Sequence, residues 1–381
     1  MKNNVTTSVL RVGIIGTGEV AQTVHLPTLQ LCSHLYRVTA LCDVSATALS
    51  HCAAKFNIAK TYTDHRQLIN QDDVDLVMIL NSDEYHASMA VEAADAGKHV
   101  FIEKPMALTE SDADAVIAAE KRNGVVIMVG YMRRYAFAVK PLSDILHGMK
   151  TIHYARVRDI IGHNRFFVDQ SGTFPIKVKD VPEDKVSDLL AQGKRMAQEA
   201  LGEHRASDPV NVKSYRLLAG LSSHDLSLMR ELFGGPPLQC LAAGRTPTGD
   251  FMHALFQYPQ GFNVMYEVGI DNVPMFDAGI EIFGDTKRVQ ITYDTPYIKG
   301  LPIKVTIQED DGQGGFKETV LRPSYKDPYT LELEALHNAI IGKEPLKTTP
   351  ADAKQDLDIF RQIMDKLAPP SREILHFSDI Q

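Results

Sequence analysis

The sequence predicts an α/β protein that joins a doubly wound parallel sheet to a second α/β domain whose large open sheet is mainly antiparallel. From residue 9 to about 131, apolar runs of strand length alternate with helical patterns, which is typical of a parallel sheet. Beyond about residue 150, short alternating strands follow one another through turns that contain Gly and Pro. Because 381 residues exceed one typical core, we expect one domain over residues 1–133 and another over 134–381, with helices in 331–381 returning to the first.

The first strand, residues 9–15, leads directly into the turn Gly16-Thr17-Gly18-Glu19-Val20-Ala21. This G-x-G-x-x-A pattern between a strand and a helix is typical of a dinucleotide-binding Rossmann domain. Gly16 permits the tight turn, Gly18 leaves room for a pyrophosphate, and the small Ala21 lets helix and strand pack closely. The amides and dipole of the first helical turn would then bind the phosphates.

An acidic residue ends the second strand, which covers residues 36–42. The carboxylate of Asp43 is placed to accept hydrogen bonds from the adenosine ribose hydroxyls and to repel a 2′-phosphate. Only Val44 and Ser45 follow, and neither could hold such a phosphate with a positive charge. The sequence therefore favours NAD over NADP as the cofactor.

The remaining elements of the first domain continue the alternation. Helical patterns cover residues 46–56, 64–69, 86–96 and 108–122, and strands cover 60–62, 75–80, 99–103 and 125–130. Polar segments follow three of these strands, at residues 81–86, 103–105 and 130–134. Since the carboxyl ends of parallel strands meet at one edge of the sheet, these segments border the predicted ligand crevice.

The second domain is predicted from seven strand-like runs, at residues 151–158, 238–243, 252–258, 262–269, 278–283, 288–293 and 304–308. Helices are expected before most of them, at 181–201 and 221–233, and at the end, at 331–341 and 351–366. The alternation of apolar residues over 252–308, with no later helix to cover the outer face, predicts a homo-oligomer interface on the sheet. The loops at 293–297 and 325–329, rich in Tyr and Asp, fit a pocket lining, a subunit interface or ordinary turns equally well.

Composition excludes several other classes of function. A net charge of −8 without a basic cluster argues against nucleic-acid binding. No run approaches the ~20 apolar residues of a membrane span, and the N-terminus lacks a signal-peptide core. The 4 cysteines form no C-x-x-C pair, so we expect reduced thiols, a cytoplasmic protein and no metal site.

Lys104 is the best candidate for proton transfer. It follows a strand that ends in the crevice where a nicotinamide ring would lie. Burial and a neighbouring positive ring both depress the pKa of a lysine, which makes proton exchange possible near neutral pH. Pro105 would fix the local turn.

Several motifs together resemble the Gfo/Idh/MocA family of nicotinamide-dependent sugar and polyol oxidoreductases. They are the glycine turn, His25-Leu26-Pro27, the turn from Asn81 to His86, Glu103-Lys104-Pro105, the run from Gly130 to Tyr135, and His224 with Arg230 on one helix. The resemblance implies a Rossmann domain followed by an open-sheet domain that often mediates oligomerisation, and it makes Lys104 the catalytic lysine. The implied cofactor contacts are Gly16, Thr17, Gly18, Glu19, Val20, Asp43, Asn81, His86, Glu103 and Arg133.

The chain departs from that family at its second catalytic motif, usually D-x-x-x-H. His224 stands in the histidine position, but Gly220 replaces the aspartate and Ser227 replaces a carboxylate common three residues later. Asp225 would point about 100° away from His224 on a helix. Either another group orients His224, or Lys104 works with a different partner.

A long segment, residues 159–215, precedes the His224 helix. The strand end that leads into it mixes polar and aromatic side chains, which suits a polyhydroxylated ligand, and the helix after Pro182 is expected to pack on the body or on a partner subunit. The candidate substrate residues are Tyr131, Arg158, Asp159, His163 and Asn164.

These observations predict a cytoplasmic NAD-dependent oxidoreductase that transfers a hydride between nicotinamide and a carbinol or keto carbon of a sugar, polyol or glycoside. We expect a small carbohydrate-like substrate and a homodimer or homotetramer. Two alternatives stay open. One retains its NAD and catalyses redox-assisted elimination or hydrolysis of a glycoside; the other is a non-catalytic sensor of the dinucleotide. The substrate, the oxidised carbon and the direction of reaction are left open.

Overall fold

The computed structural model describes residues 9–368, and their N-terminal part forms a six-stranded parallel sheet. The strands are β1 (Leu10–Ile15), β2 (Tyr36–Cys42), β3 (Lys60–Tyr62), β4 (Leu76–Ile79), β5 (His99–Glu103) and β6 (Ile127–Gly130). Their spatial order is β3-β2-β1-β4-β5-β6. The order reverses between β1 and β4, and a doubly wound sheet opens its ligand crevice at this point. The predicted fold of the first domain is confirmed.

Helices cover both faces of this sheet. They are α1 (Leu26–Leu31), α2 (Ala46–Phe56), α3 (His65–Ile69), α4 (His86–Asp95), α5 (Glu110–Asn123) and α6 (Val139–His147). Ile79, Ile102 and Val129 point into the core shared with α4 and α5, while Met78 and Phe101 point to the opposite face. Both faces of the strands are buried, so these runs are almost wholly apolar.

The glycine turn has the conformation its sequence requires, but the helix after it begins irregularly. Gly16 has φ of 95°, and a Cβ there would lie 2.5 Å from the Asn81 nitrogen. Residues Ala21–His25 then form a π-helical turn before α1. Pro27 lacks an amide hydrogen and cannot donate to the Thr23 carbonyl, which interrupts the regular α-helical ladder.

The second sheet has eight strands. They are β7 (Ile152–Gly162), β8 (Gln239–Arg245), β9 (Phe251–Gln257), β10 (Asn263–Asp271), β11 (Phe276–Gly284), β12 (Lys287–Tyr293), β13 (Lys304–Asp310) and β14 (Phe316–Leu321). Their order is β14-β13-β12-β11-β7-β10-β9-β8, and among the described pairings only β7 with β10 is parallel. The large, mainly antiparallel sheet is confirmed. The edge strand β14 was not predicted, because half of its side chains are polar and most are exposed.

Seven further helices belong to the C-terminal part of the chain. They are α7 (Arg165–Val168), α8 (Glu183–Leu201), α9 (Glu203–Ala206), α10 (Pro209–Leu217), α11 (Ser223–Phe233), α12 (Pro328–Ile340) and α13 (Pro350–Lys366). A π-helical turn, Leu218–Ser222, joins α10 to α11, so α11 begins two residues later than the predicted start at 221. Ten of its residues are buried, including His224 and Asp225.

The last two helices lie against elements of the N-terminal sheet. In α12, Leu333 and Leu336 join the core formed with β1 and β2, and the Tyr36 hydroxyl donates to the Leu333 carbonyl at 2.6 Å. Helix α13 packs between α5, β6 and β8. We retain the division at residues 133 and 134 as a proposal; it falls within the short helical turn Met132–Tyr135.

The outer face of the second sheet differs from the apolar surface expected. The apolar residues of the alternation, such as Phe256 and Val264, point inward and are buried. The other face carries ion pairs between Arg156 and Glu267 and between Arg158 and Asp277. A strand presents alternate residues to opposite faces, so an apolar alternation leaves a mixed outer surface.

Among the helices of residues 9–368, none is both long and apolar enough to cross a membrane. No group of three or more His, Cys, Asp or Glu within the same residues is arranged to hold a metal ion.

Candidate active site

A cleft of about 620 Å³ lies where the carboxyl ends of the parallel strands face the second sheet. Three loops after β1, β4 and β5 supply one wall, and α10, the π-helical turn and α11 supply another. The lining residues predicted from the sequence are Glu19, Val20, Asn81, His86, Glu103, Lys104, Arg133, Asn164 and His224. The structure therefore brings both predicted catalytic residues to one cavity.

Lys104 links the two walls of the cleft. Its Nζ donates a hydrogen bond to the Gly220 carbonyl, within the turn that leads to His224. Burial lowers the pKa of the lysine from its ordinary value, although the charges of Glu103 and Asp83 oppose this change. The Lys104–Pro105 peptide bond is cis. Because burial lowers its pKa, Lys104 can exchange a proton closer to neutral pH than an exposed lysine.

The two carboxylate oxygens of Glu103 have different partners, His25 and the Lys104 backbone. Its Oε1 lies 2.7 Å from His25 Nε2, and its Oε2 accepts from the Lys104 backbone nitrogen at 3.0 Å. Burial raises the pKa of Glu103, but the hydrogen bond from His25 and the Lys104 charge outweigh that effect and lower it overall. Glu103 therefore supplies a fixed negative charge beside Lys104.

His224 sits at the start of α11 with its side chain at the cleft. Burial, together with the charges of Lys104 and Arg133, lowers its pKa well below the ordinary value, so the imidazole is neutral at neutral pH. Its Nδ1 atom is buried and has no hydrogen-bond partner among the described residues. The neighbouring Asp225 is engaged elsewhere and does not orient the ring, as the helical geometry predicted.

A buried charge cluster lies behind His224. The Arg133 guanidinium donates to Asp159 at 3.0 Å and also to Asp225, which in turn accepts from the Tyr293 hydroxyl at 2.8 Å. Burial raises the pKa of Asp159 well above its ordinary value, and Asp225 adds to this effect while Arg133 opposes it. Arg133 thus supplies positive charge to both buried carboxyl groups, while burial favours the protonated form of Asp159.

This cluster corrects the interpretation of two predicted contacts. Asp159 is fully buried, so it has no free surface for a substrate. Arg133 borders the cleft, but its guanidinium is committed to the two aspartates and lies 4.6 Å from the centre of the Tyr293 ring. Both residues hold the second sheet against the first instead of presenting free groups to a ligand.

The glycine turn reaches the cleft through Glu19 and Val20, and its earlier residues bond to the acid that follows β2. Asp43 Oδ2 accepts from the Thr17 nitrogen at 2.6 Å and from Thr17 Oγ1 at 2.9 Å, while Oδ1 accepts from the Ser45 nitrogen at 2.8 Å. A Cβ on Gly18 would meet nothing within 4 Å, so the turn is open above its amides.

The loop after β4 lies beside the turn. Asn81 Oδ1 is buried without a partner among the described residues, and the His86 ring lies between the carbonyls of Pro105 at 2.7 Å and Asn81 at 3.1 Å. His86 therefore fixes two loops of the cleft to each other. An open glycine turn beside an unpaired amide oxygen fits a dinucleotide.

Three of the other predicted substrate residues lie elsewhere. The Tyr131 hydroxyl donates to Asp356 at 2.6 Å inside the core. Arg158 points to the outer face of the sheet because it alternates with Asp159 on β7. His163 is exposed and its ring packs near Phe166. Of the five residues, Asn164 alone combines exposure with a place in the cleft lining.

The sequence interpretation missed a charged group at the rim. Arg216 pairs with Asp83 at 2.6 Å and with Glu84 at 3.2 Å, and all three line the cleft. Tyr297 and Tyr329 line it as well; both come from the Tyr- and Asp-rich segments, and Tyr329 lies in the first turn of α12. Those segments were a usable signal, whereas nothing in the spacing of Arg216 relates it to Asp83.

The six-stranded parallel sheet, with its cleft at the carboxyl edge, places the N-terminal part in the doubly wound α/β class. The sequence model of the Gfo/Idh/MocA oxidoreductase family, described as an NAD-binding Rossmann fold, matches residues 10–131. Residues 10–131 therefore match the NAD-binding Rossmann domain of that family, in agreement with the motifs quoted above.

Similar proteins agree with this placement. An inositol 2-dehydrogenase from Salmonella typhimurium is 40% identical over 139 residues, which are 36% of this chain and 41% of that protein. The chain therefore matches about two fifths of the length of that relative. An uncharacterized oxidoreductase from Bacillus subtilis, YrbE, is 23% identical over 93% of this chain and 94% of its own. The structure of a levoglucosan dehydrogenase with NADH and levoglucosan superimposes with a TM-score of 0.70 at 17% identity, covering 94% of this chain and 97% of that one. At that identity the likeness shows the fold.

Proposed function

We propose that this protein is an NAD-dependent oxidoreductase that moves a hydride between nicotinamide and a carbinol or keto carbon of a sugar, polyol or glycoside. The observation that carries this proposal is the meeting of Lys104 and His224 at one cleft beside the glycine turn. The NAD(P)-binding family of the N-terminal domain supports it.

The cofactor would be held along the carboxyl ends of the parallel strands. Asp43 would take the adenosine ribose, and the amides of the turn from Gly16 to Val20 would take the pyrophosphate. Asn81, with its unpaired oxygen, and Lys104 would face the nicotinamide end. When bound, nicotinamide supplies the hydride acceptor or donor; the protein's own residues supply the proton transfer and the positioning.

Proton transfer falls to Lys104 and His224. In the oxidation direction a substrate hydroxyl must lose its proton to a neutral base. Burial favours the neutral forms of both side chains, since it lowers both pKa values. The fixed charge of Glu103 restrains the shift at Lys104, which keeps the lysine able to regain a proton for the reverse direction.

The lining of the cleft suits a polyhydroxylated molecule. Asn164, Arg216 and Asp83 offer hydrogen-bonding groups, while Phe276 and Leu221 offer apolar surfaces. Sugars and cyclic polyols present both kinds of surface. The inositol dehydrogenase among the relatives makes a cyclic polyol the first candidate to test.

The test is an assay of NADH formation from NAD with a panel of inositols, aldoses and anhydrosugars. We expect stoichiometric NADH with at least one cyclic polyol or sugar, and a rate about 10²–10⁴ lower in Lys104→Ala. Product formed without net NADH would instead support redox-assisted elimination or hydrolysis. Binding of NAD with no turnover on any member of the panel would support the sensor.

A further inference from the structure

The segment between α7 and α8 crosses back over the nucleotide-binding domain. The Ile176 nitrogen donates to Gln22 Oε1 at 2.9 Å, beside the glycine turn, and Lys55 Nζ on α2 donates to the Thr173 carbonyl. We call residues 169–182 the crossing segment. It belongs to the long stretch before the His224 helix for which the sequence suggested no role.

The crossing segment ends on the first turn of α2. Asp180 Oδ1 accepts from Ser45 Oγ at 2.5 Å, and Asp180 Oδ2 accepts from the Thr47 nitrogen at 2.9 Å. These hydrogen bonds lower the pKa of Asp180 to about 2, so the group is a carboxylate at neutral pH. A negative charge at this position is also favoured by the N-terminal end of the helix dipole.

In a doubly wound domain, the junction of β2 and α2 is where the adenosine end of a dinucleotide binds. The adenosine ribose lies against the junction of β2 and α2, next to the acid that ends β2. The 2′-phosphate of NADP would therefore need hydrogen-bond donors from this junction. Ser45 Oγ and the Thr47 nitrogen are such donors, and both are already bonded to Asp180.

A second carboxylate reinforces the arrangement. Asp43 accepts from the Ser45 nitrogen, while Asp180 accepts from the hydroxyl of the same serine. Ser45 therefore stands between two negative groups, one from the Rossmann domain and one from the chain beyond β7. A 2′-phosphate entering here would have to displace Asp180 and would still face Asp43.

We propose that Asp180 is a specificity-determining residue that occupies the place of a 2′-phosphate and thereby excludes NADP. The inference rests on the proposed dinucleotide-binding function and deepens it. The crossing segment supplies the group, so cofactor choice in this chain depends on its C-terminal part as well as on Asp43.

The test is the affinity of the purified protein for NAD and for NADP, measured by isothermal titration calorimetry. Asp180→Ala frees the two donors and removes one charge, so we expect NADP affinity to rise about tenfold or more. Affinity for NAD should stay within a few-fold. Asp180→Asn removes the charge but can still accept from Thr47, so its gain in NADP affinity should be smaller.

Asp184→Ala is the matched control. Asp184 lies four residues further along, is exposed, and is 3.9 Å from Lys185, so its loss changes the net charge equally without touching α2. We expect no change in either affinity for this variant. Raising the salt concentration should reduce the NADP gain of Asp180→Ala, because an exposed charge effect is screened.

The outcomes separate the two proposals. If the wild type binds neither dinucleotide, the proposed function fails. If NAD binds normally to all the variants and the ratio of NADP to NAD affinity in Asp180→Ala stays within twofold of wild type, the role of Asp180 is refuted while the proposed function stands. Normal NAD binding also shows that each variant is folded.

Discussion

Replacing Lys104 and His224 by alanine, singly and together, tests how the proton is moved. Removing a general acid or base costs about 10²–10⁴ in kcat, which is about 3–5 kcal/mol of transition-state stabilisation. The Lys104 ammonium bonds to the Gly220 carbonyl in the turn that carries His224, so the two groups are structurally connected. We therefore expect each single variant to lose about 10²–10⁴ in kcat and the double variant to lose much less than the product.

The assay combines single-turnover kinetics, NAD titration and thermal melting on the same samples. NAD affinity should stay within a few-fold in Lys104→Ala, because in the proposed binding mode Asp43 and the glycine turn would hold the ribose and phosphates. Lys140→Ala, on the exposed surface of α6, is the control and should behave as wild type. Full turnover in Lys104→Ala would refute the catalytic assignment. Wild-type kcat with a lower melting temperature in His224→Ala would assign the histidine to packing alone.

Four further results are expected. The resemblance to the Gfo/Idh/MocA family, and not an apolar outer face, still predicts a homo-oligomer formed through the second sheet; light scattering at micromolar concentration should show it, and a monomeric mass would contradict it. Arg133→Ala should destabilise the fold by about 3–5 kcal/mol in denaturant unfolding, because it leaves Asp159 and Asp225 buried without their cation. His224→Gln should flatten the fall of stability between pH 7 and pH 5 by up to about 1.4 kcal/mol per pH unit, and an unchanged slope would show that His224 is not buried in its neutral form. In Gly220→Asp, the rise of kcat with pH should occur at a higher pH than in wild type. An unchanged pH profile would show that residue 220 does not influence the proton-transfer groups.

The loss of stability at low pH that we expect from His224 follows from its lowered pKa. In the unfolded chain the imidazole takes up a proton below about pH 6.5, whereas the folded protein resists this protonation. The unfolded state therefore binds more protons as pH falls, and stability is lost through that window. Glutamine keeps much of the volume of the side chain but removes this titration.

The N-terminal sheet was predictable because its signals are local. Gly16 must adopt a positive φ and pack against the Asn81 backbone, and a continuous apolar strand must be buried on both faces. The placement of Lys104 at a strand end followed from the same order of strands and helices. Such features depend on a few neighbouring residues, so the sequence alone indicates them.

The predicted substrate residues that lie away from the cleft were misplaced because their positions depend on three-dimensional geometry and not on local sequence. Arg158 and Asp159 are adjacent in sequence, but their strand sends them to opposite faces, and only one face borders the cleft. Tyr131 follows a crevice strand, yet its hydroxyl reaches Asp356 on α13, which is 225 residues away. The contact of Asp180 could not be predicted for the same reason, since its partners Ser45 and Thr47 are more than 130 residues earlier.

Residue 220 is a glycine where the motif of the resembled family usually has an aspartate. A Cβ on Gly220 would meet nothing within 4 Å, and the residue lines the cleft, so a carboxylate there would have room. What the chain offers instead is the Gly220 carbonyl, which accepts from Lys104 in a π-helical turn, a distortion that shifts the regular pattern of carbonyl partners. A neutral carbonyl holds the lysine without raising its pKa as a carboxylate would. The substitution Gly220→Asp adds that charge beside both proton-transfer groups, so each should hold its proton to a higher pH.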